Sequence, residues 1–393
     1  MRVCVVSQEY PGVNEYYGGI GTQYRAFTGA WARTGTETHV ITLAPDSGTA
    51  PASLDGVHVH ALPRPRGWPW HGLLWSGRVA RAVAEHGPFD AVLSPEFRGE
   101  LFTYSKRQPA GPAITHLLTS SAQLLAMRPG LTWLERNGPR GRLFRELERR
   151  QAERSAALLA PGHAVLDWAR ELWPGIAALP AEILPLSIRV GEVRSAAEGG
   201  ALPAGFPVGR GPTVTLPSRL DGHKGAQQLV DAMQIVWRRH PDAQLVFVGR
   251  DARYGHGKMS DHLRERAGGR AGHVHTLGGQ PADRYFAAVA ASDIVAIPSL
   301  WESFCLAAVE AMALRRPVIG TSGHGFSEYL REDENGLLVE RGTVEPLAAA
   351  VERLLDDEQL RLRMGEAAAR TADGLDVEAV APRYVEALGR LAA

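Results

Sequence analysis

The sequence predicts an α/β protein made of two doubly wound domains, each with a parallel sheet covered by helices on both faces. Apolar runs of strand length alternate with amphipathic segments of helix length over most of the chain, which is the pattern of a parallel sheet. At 393 residues the chain also exceeds the size of one usual hydrophobic core. Between residues 190 and 212 the alternation stops and glycine and proline are frequent, so this segment is predicted to be a linker.

The linker separates a first domain, residues 1–189, from a second, residues 213–375. The predicted strands of the first are Arg2 to Ser7, His39 to Leu43, Ala91 to Ser94 and Ala113 to His116. Those of the second are Thr213 to Pro217, Gln244 to Val248, His273 to Leu277, Asp293 to Pro298, Pro317 to Gly320 and Gly336 to Val339. Helices are predicted at Thr22 to Thr34, Ala226 to Arg238 and Phe304 to Leu314. Ligands are expected at the carboxyl ends of such strands.

The composition of the chain limits which classes of binding partner are expected. The 43 basic and 43 acidic residues give a formal charge of zero, so no overall field attracts nucleic acid or an anionic membrane. Two cysteines, Cys4 and Cys305, are too few for a disulfide framework or a cysteine metal cluster. The first residues read as a strand and not as a signal peptide, and no apolar run is long enough to span a bilayer. A cytoplasmic protein without stable membrane insertion is therefore expected.

Two segments rich in tryptophan or arginine interrupt the alternation. Pro63 to Arg78 contains Trp68, Trp70 and Trp75, and the segment from Trp133 to Arg154 holds seven arginines against four glutamates. Either could form a peripheral membrane contact or an acceptor-binding surface. The alternative, which we favour, is loop anchoring for the tryptophans and a solvated helix face for the arginines, because glutamates interleave with them.

The densest cluster of candidate site residues runs from Pro298 to Met312, where a strand, a loop and a helix follow one another. The backbone amides of Ser303, Phe304, Cys305 and Leu306 would form an anion site at the start of the helix. Carboxylates repel phosphate, so Glu302 and Glu310 suit neutral sugar hydroxyls, Glu302 those of a transferred sugar and Glu310 those of a ribose. The alternative is that Glu302 caps the helix and Glu310 faces solvent, but Glu310 lies within an apolar run, an unusual setting for a solvated charge.

A second cluster, Pro217 to Gly225, also follows a predicted strand and precedes a helix. Arg219 and Lys224 flank the end of that strand, where both could reach a diphosphate. Departure of a diphosphate from a nucleotide-sugar develops negative charge that cations stabilise, and each charge-assisted hydrogen bond contributes about 1.5–3 kcal/mol. Basic loops are common, so this cluster alone is weak evidence for a diphosphate site. It supports that site only together with the cluster from Pro298 to Met312.

Two weaker signals lie in the first half. Tyr17-Gly18-Gly19-Ile20-Gly21-Thr22 joins a strand to a helix, and its glycines would let a ligand approach the backbone, although a tight turn without a ligand is equally compatible. His116 ends a strand at the edge of the expected cleft, although a lone histidine is more often structural.

Several reaction classes find no support. No Asp-x-Asp pair follows an apolar strand, and no histidine or carboxylate cluster has metal-ligand spacing along the chain, so no metal ion and no other cofactor is expected. Gly-x-Ser-x-Gly and Walker-type elements are also missing from the sequence.

Taken together, these clusters resemble glycosyltransferase family 4, and the resemblance covers nearly the whole chain. The matching elements are Gly18-Gly19-Ile20-Gly21, His116, Ser218-Arg219-Leu220-Asp221-x-x-Lys224-Gly225, Leu245 to Gly249, Ala291 to Val295, the pair Glu302 and Glu310, Arg316 to Ile319, Gly323-x-Gly325-x-x-Glu328 and Glu334 to Val339. The seven residues between the two glutamates, with the basic element in the right order, form the most specific of these.

The resemblance implies a GT-B fold, in which two tandem Rossmann-like domains face each other across a cleft and a final helix, residues 376–393, crosses back onto the first domain. It implies that Arg219 and Lys224 hold the donor diphosphate with backbone near Gly19 and residues 303–306. Glu310 would bind the ribose, Glu302 the donor sugar, and His116 the sugar near its reacting carbon. The family retains anomeric configuration and requires no metal.

The expected activity is thus transfer of a hexose from a nucleotide-diphosphate sugar to a hydroxyl or amine of a small-molecule, glycan or lipid-linked acceptor. Alternatives are a pseudo-glycosyltransferase that joins a nucleotide-activated cyclitol to an amine, and a binding protein without turnover. The acceptor would be recognised by first-domain loops, Glu9 to Tyr17, Arg64 to Trp75 and Thr119 to Arg140. Three positions depart from the family, which usually has glycine where Ser303, Cys305 and Arg315 stand.

Overall fold

The chain folds into two compact units, as seen in a computed structural model that describes residues 1–15, 18–65, 71–126 and 138–392. The first unit comprises Met1–Ser187 and Val377–Ala393, and the second comprises Ile188–Asp376. The predictions made for Tyr17, Trp68, Trp70, Trp133 and much of the segment from Thr119 to Arg140 fall outside the described residues.

The strands are short and most are buried. In chain order they are β1 (Arg2–Val6), β2 (Glu37–Leu43), β3 (Ser53–Leu54), β4 (Val57–Leu62), β5 (Ala91–Pro95), β6 (Ala113–His116), β7 (Ala157–Ala160), β8 (Ala181–Ile183), β9 (Thr213–Leu216), β10 (Gln244–Phe247), β11 (Arg253–Tyr254), β12 (Gly257–Lys258), β13 (Val274–Thr276), β14 (Ile294–Ala296), β15 (Val318–Thr321) and β16 (Leu337–Val339).

Helices fill the connections between these strands. They are α1 (Gly19–Arg33), α2 (His71–His86), α3 (Ser121–Ala126), α4 (Pro139–Arg154), α5 (His163–Leu172), α6 (Val190–Gly199), α7 (Ala226–Val236), α8 (Met259–Ala267), α9 (Ala282–Ala290), α10 (Leu306–Ala313), α11 (Glu345–Asp356), α12 (Glu358–Asp373) and α13 (Val377–Ala392). Within the described ranges, no helix is both long enough and apolar enough to cross a bilayer.

The sheet of the first unit has the strand order β3-β4-β2-β1-β5-β6-β7-β8. Its strands are parallel except for the antiparallel pair β3 and β4. The strand order reverses at β1, so the chain leaves the neighbouring ends of β1 and β5 in opposite directions. Ligands of doubly wound sheets bind at the carboxyl ends of the strands at such a point. The pairing of β2 with β4 also sets His39 beside His58, which spacing along the chain does not reveal.

The last helix, α13, belongs to the core of the first unit. Its buried Tyr384 packs on Phe27 of α1, with ring centroids 4.2 Å apart. The indole of Trp31 donates a hydrogen bond of 2.9 Å to the carbonyl oxygen of Ala381. Aromatic side chains bury large areas, so these contacts fix α13 against α1.

The sheet of the second unit is parallel throughout, in the order β13-β10-β9-β14-β15-β16. Counted from β9, this is the order 3-2-1-4-5-6 of a Rossmann fold. Most residues of these strands are apolar and buried, as expected for a sheet with helices on both faces. The order reverses between β9 and β14, and both main sequence clusters follow these two strands.

Three details of the sequence prediction require correction. Residues 190–199 form helix α6, which belongs to the second unit, because alanine and valine outweigh the glycines that suggested a linker. Helix α1 begins at Gly19 and not at Thr22, and α10 begins at Leu306 and not near Phe304. The prediction omitted four strands of the first unit, β3, β4, β7 and β8, which are short or alternate with polar residues.

Candidate functional site

The loops after β9 and β14 are held together at the point where the strand order reverses. Gly225 has a φ of +72°, and a Cβ there would lie 2.0 Å from the carbonyl oxygen of Pro298, so glycine is required for this approach. The amide of Leu300 donates a hydrogen bond of 2.8 Å to the carbonyl oxygen of His223. These contacts place the basic loop of β9 directly beside the acidic loop of β14.

Lys224 and Glu302 form a buried ion pair across these loops. The Nζ atom of Lys224 lies 2.6 Å from Oε1 of Glu302, and the hydroxyl of Ser299 donates to the same oxygen at 2.7 Å. Burial opposes the charged form of both, but the pairing outweighs it, holding the pKa of Glu302 below and that of Lys224 above the usual value. Both groups are therefore charged at neutral pH.

A histidine behind the pair orients the backbone of Glu302. The amide of Glu302 donates to Nδ1 of the buried His324 at 3.2 Å, and Nε2 of His324 lies 3.0 Å from the hydroxyl of Thr321. That hydroxyl donates to the carbonyl oxygen of Ser299 at 2.7 Å. Burial lowers the pKa of His324 to about 4, so the ring is neutral and accepts at Nδ1.

Arg219 is the more accessible of the two cations. Its guanidinium lies 3.1 Å from Oδ2 of Asp221, and its side chain is 60% exposed. Asp221 also contacts Nδ1 of His223 at 2.7 Å, which ties its carboxylate to the loop. Exposed ion pairs contribute little to stability, so the guanidinium can turn to an arriving anion at low cost.

Backbone amides before α10 supply a further anion-binding element. In the described part of the chain, the N–H groups of residues 303–306 make no hydrogen bond with protein. Cys305, the residue before the helix, has a φ of +75°, in the left-handed region that favours glycine. The hydroxyl of Tyr329 donates to the carbonyl oxygen of Phe304 at 2.8 Å and holds this loop. The start of α10 therefore offers unpaired donors to an anion, as predicted for this segment.

Glu310 lies on α10 next to the end of β9. The hydroxyl of Tyr285 donates toward Oε2 of Glu310 and toward the carbonyl oxygen of Pro217, both at 3.1 Å. Burial raises the pKa of Glu310 to about 7. Neither alternative for the glutamates holds, because Glu302 does not cap α10 and Glu310 is not a solvated charge.

The predicted glycine contact in the first unit takes a different form. Gly19 is the first residue of α1, and the preceding Gly18 amide donates to Oε2 of Glu9 at 2.7 Å. A Cβ on Gly21 would lie 2.9 Å from that of Glu9, so this glycine serves close packing and not a left-handed turn. A carboxylate of the chain itself thus occupies the start of α1.

His116 lies in a buried position of the first unit. It ends β6 as predicted, but its side chain is fully buried beneath α1 and α13. Its ring nitrogens face the hydroxyls of Tyr24 and Tyr384, each at 3.4 Å. Burial lowers the pKa of His116 to about 3, so the ring stays neutral. The hydroxyls of Tyr24 and Tyr384 cover the ring, and the contact of His116 with the donor sugar stays a prediction.

Sequence reasoning missed the polar residues that support the site. Ser299, Thr321 and His324 contact Glu302 or its loop, and Tyr285 contacts Glu310. The signals were weak, since hydroxyls near strand ends are common. Burial raises the pKa of the Cys305 thiol well above its usual value, which disfavours the reactive thiolate.

Buried carboxylates in the first unit were missed as well. Glu96 follows β5 directly, and both of its oxygens accept from the amide of Leu118, at 2.9 and 2.8 Å. Glu148 of α4 accepts from the amides of Arg98 and Ser121. Burial raises the pKa of Glu96 to about 8 and that of Glu148 to about 7. These residues stabilise the loops after β5 and β6.

The second unit therefore combines two cations, four unpaired amides and two carboxylates where the strand order reverses. A family model described as glycosyl transferases group 1 matches residues 207–371, and one described as a glycosyl transferase 4-like domain matches residues 18–186. The chain belongs to glycosyltransferase family 4. The two matched ranges lie within the second and the first unit, respectively.

Two named glycosyltransferases are similar to this chain over part of their sequence. D-inositol 3-phosphate glycosyltransferase of Corynebacterium glutamicum (strain R) is 36% identical over 162 residues, 40% of this chain and 38% of that protein. Phosphatidyl-myo-inositol mannosyltransferase of Mycobacterium leprae is 33% identical over 224 residues, 56% of this chain and 57% of that protein. The chain thus aligns with only about two to three fifths of the length of these relatives.

The fold is also that of solved glycosyltransferases. The crystal structure of Anabaena HepE in complex with UDP superposes with a TM-score of 0.72 at 18% identity, covering 99% of this chain and all of that one. Together with the two Rossmann-like units, this likeness establishes the GT-B fold.

Proposed function

We propose that this protein is a retaining glycosyltransferase that moves a hexose from a nucleotide-diphosphate sugar to a hydroxyl or amine acceptor without a metal ion. The observation that carries the proposal is the placement of Arg219, Lys224, Glu302 and Glu310 around the ends of β9 and β14. Cations, free amides and carboxylates there match the three parts of such a donor: diphosphate, sugar and ribose.

Arg219, Lys224 and the amides of residues 303–306 would hold the diphosphate. As the glycosidic bond to the donor breaks, negative charge grows on the departing phosphate, and fixed positive groups stabilise that charge. Lys224 is paired with Glu302 and Arg219 with Asp221, so the net attraction comes from the amides and from the exposed guanidinium of Arg219, which can turn away from Asp221 at low cost. These groups provide the positive charge that a metal would otherwise bring, which supports a metal-independent reaction.

The two glutamates would bind neutral parts of the donor. Glu302 is held by Lys224 and Ser299 and remains ionised, so it can accept hydrogen bonds from hydroxyls of the transferred sugar. Glu310 and Tyr285 form a small polar site at the end of β9, suited to the two ribose hydroxyls. A carboxylate that accepts hydrogen bonds from both ribose hydroxyls would bind the ribose of any nucleotide donor in the same way.

The acceptor class to test first follows from the names of the two relatives. The two relatives above are named for inositol phosphate and phosphatidyl-inositol acceptors. A cyclitol hydroxyl is therefore the first acceptor class to test, followed by an amine. Acceptors would be recognised by loops of the first unit, among which Glu9 to Tyr17 and the segment after Thr119 were predicted.

A thermal-shift screen of nucleoside diphosphates and nucleotide-sugars, in buffer freed of metal by a chelator, tests the donor site. Ligands that bind the native state raise the melting temperature with the logarithm of their concentration over Kd. We expect a clear shift for one nucleotide, reduced in Lys224→Ala and in Glu310→Ala. Glu265→Ala, which removes an exposed carboxylate from α8 of the same unit, is the control.

Turnover separates an enzyme from a binding protein. The donor that gives the largest shift in melting temperature should be hydrolysed slowly when no acceptor is present. Added cyclitols should accept the sugar at a faster rate. NMR of the product then reports its anomeric configuration. We expect retention of configuration and full activity with chelator. Binding that requires metal, an inverted product, or unchanged activity in Glu310→Ala would contradict the proposal.

A further inference from the structure

Histidines gather at the amino-terminal edge of the first unit's sheet, where β2 and β4 begin. His39 of β2 is paired with His58 of β4 in the parallel register, and Glu37 begins β2 two residues earlier. Side chains two apart on a strand lie on the same face, so Glu37, His39 and His58 project together. This edge is opposite the one where the loops after β1 and β5 leave the sheet.

The three side chains present their ligand atoms to one point. One nitrogen or oxygen of each lies within 4.8 Å of the others. Oε1 of Glu37 and Nε2 of His39 are 3.0 Å apart. Bonds of 2.0–2.1 Å in a tetrahedral zinc site place neighbouring ligand atoms about 3.3 Å apart, so small rotations suffice to enclose an ion. His39 is buried and the other two are exposed, which leaves the point open to solvent.

A cation already lies at this point. Nε of Arg2 donates to Oε1 of Glu37 at 2.7 Å, and its terminal NH2 lies 3.4 Å from Nε2 of His39. The guanidinium thus contacts two of the three ligand groups. A metal ion would have to displace it from Glu37 and His39. The side chain is partly exposed, and it also donates from Nη1 to the carbonyl oxygen of Pro88 at 2.7 Å and lies over the ring of Phe89.

The ring of His39 is also oriented from behind. Its Nδ1 lies 2.9 Å from Nε2 of His60, and His60 stacks on His86 with ring centroids 3.7 Å apart. When Nδ1 of His39 carries the proton and donates to His60, the lone pair of Nε2 points toward Glu37. Histidines that bind metals are commonly fixed by such a bond from the other ring nitrogen.

We infer that Glu37, His39 and His58 bind one divalent transition-metal ion, with Zn²⁺ as the best match. Two imidazoles and a carboxylate are ligands that zinc accepts, and a fourth position would be open to water. This site is separate from the proposed donor chemistry in the second unit. Spacing along the chain indicated no metal-ligand cluster, because strand pairing and not sequence proximity creates this one.

Calorimetric titration of chelator-stripped full-length protein with Zn²⁺ tests the inference. We expect one ion per chain, and at least about tenfold weaker binding in His58→Ala and in Glu37→Gln. Arg2→Gln removes the competing guanidinium and should tighten binding. His256→Ala, which removes an exposed histidine of the second unit, is the matched control and should bind as the parent does.

Two further readouts guard against misinterpretation. The melting temperature without metal verifies that His58→Ala, a change at an exposed position, leaves the fold intact. Co²⁺ should give the intense visible absorption of a four-coordinate site in the parent and lose it in His58→Ala. Absence of zinc binding, or equal binding by His58→Ala and His256→Ala, would overturn the inference.

Discussion

Nζ of Lys224 lies 2.6 Å from Oε1 of Glu302, although 78 positions separate the two residues in the sequence. The pair joins the loops that follow β9 and β14, so one contact both shapes the site and neutralises one of its cations. Each partner compensates for the burial of the other. Removal of one partner from a buried pair leaves an uncompensated charge and typically costs about 3–5 kcal/mol.

We therefore predict that Lys224→Met destabilises the protein by a few kcal/mol, and that the double variant Lys224→Met, Glu302→Gln loses less than the sum of the single changes. Because the pKa of Glu302 is lowered, its contribution is present above its unfolded pKa and disappears as pH falls through the folded value. The coupling should thus be large near neutral pH and vanish at acid pH.

Urea unfolding measures this coupling. It is carried out near neutral pH and at acid pH on the parent, both single variants and the double variant. Additive effects at neutral pH would show that the 2.6 Å contact contributes nothing to stability. Coupling that persists in acid would assign it to Ser299 and the loop backbone in place of the ion pair.

Periodicity was sufficient to predict the six strands of the second unit's sheet. Its strands are mostly apolar, and the glutamates lie in a strand-loop-helix segment with a distinctive spacing. The pairing of Lys224 with Glu302 was beyond reach, since it depends on which strands are neighbours. The burial of His116 was equally hidden, because only the positions of α1 and α13 decide that this end of β6 is covered.

Backbone conformation explains two of the departures from the family pattern. Cys305 and Arg315, the positions where the family resemblance implies glycine, both adopt left-handed φ angles, +75° and +58°. A side chain costs about 1–2 kcal/mol in this region, and glycine escapes that cost. The sequence showed the replacements, but only the structure shows that they are made at strained positions.

We predict that Cys305→Gly and Arg315→Gly each raise the free energy of unfolding by up to about 1 kcal/mol, since greater freedom of glycine in the unfolded chain offsets part of the relief. Cys305→Ala and Arg315→Ala are the matched controls, because alanine removes the side chain but keeps the strain. Arg315 contacts Glu366 only at the exposed surface, a pair worth little. Glycine variants no more stable than their alanine partners would refute the strain at these positions.

The buried carboxyl of Glu96 should make the stability of the first unit fall as pH rises. Burial raises its folded pKa to about 8, whereas the unfolded chain releases this proton near the ordinary value of 4.5. Between these values the folded state binds more protons than the unfolded state, so each pH unit lowers the free energy of unfolding by up to about 1.4 kcal/mol.

Glu96→Gln keeps an acceptor for the Leu118 amide and has no proton to lose. Unfolding measured from pH 5 to pH 8 should therefore show the variant gaining on the parent steadily, with no further gain above about pH 8. Glu85→Gln, an exposed change in the same unit, is the control, and a constant difference between Glu96→Gln and the parent would mean that Glu96 is ionised in the folded protein throughout this range.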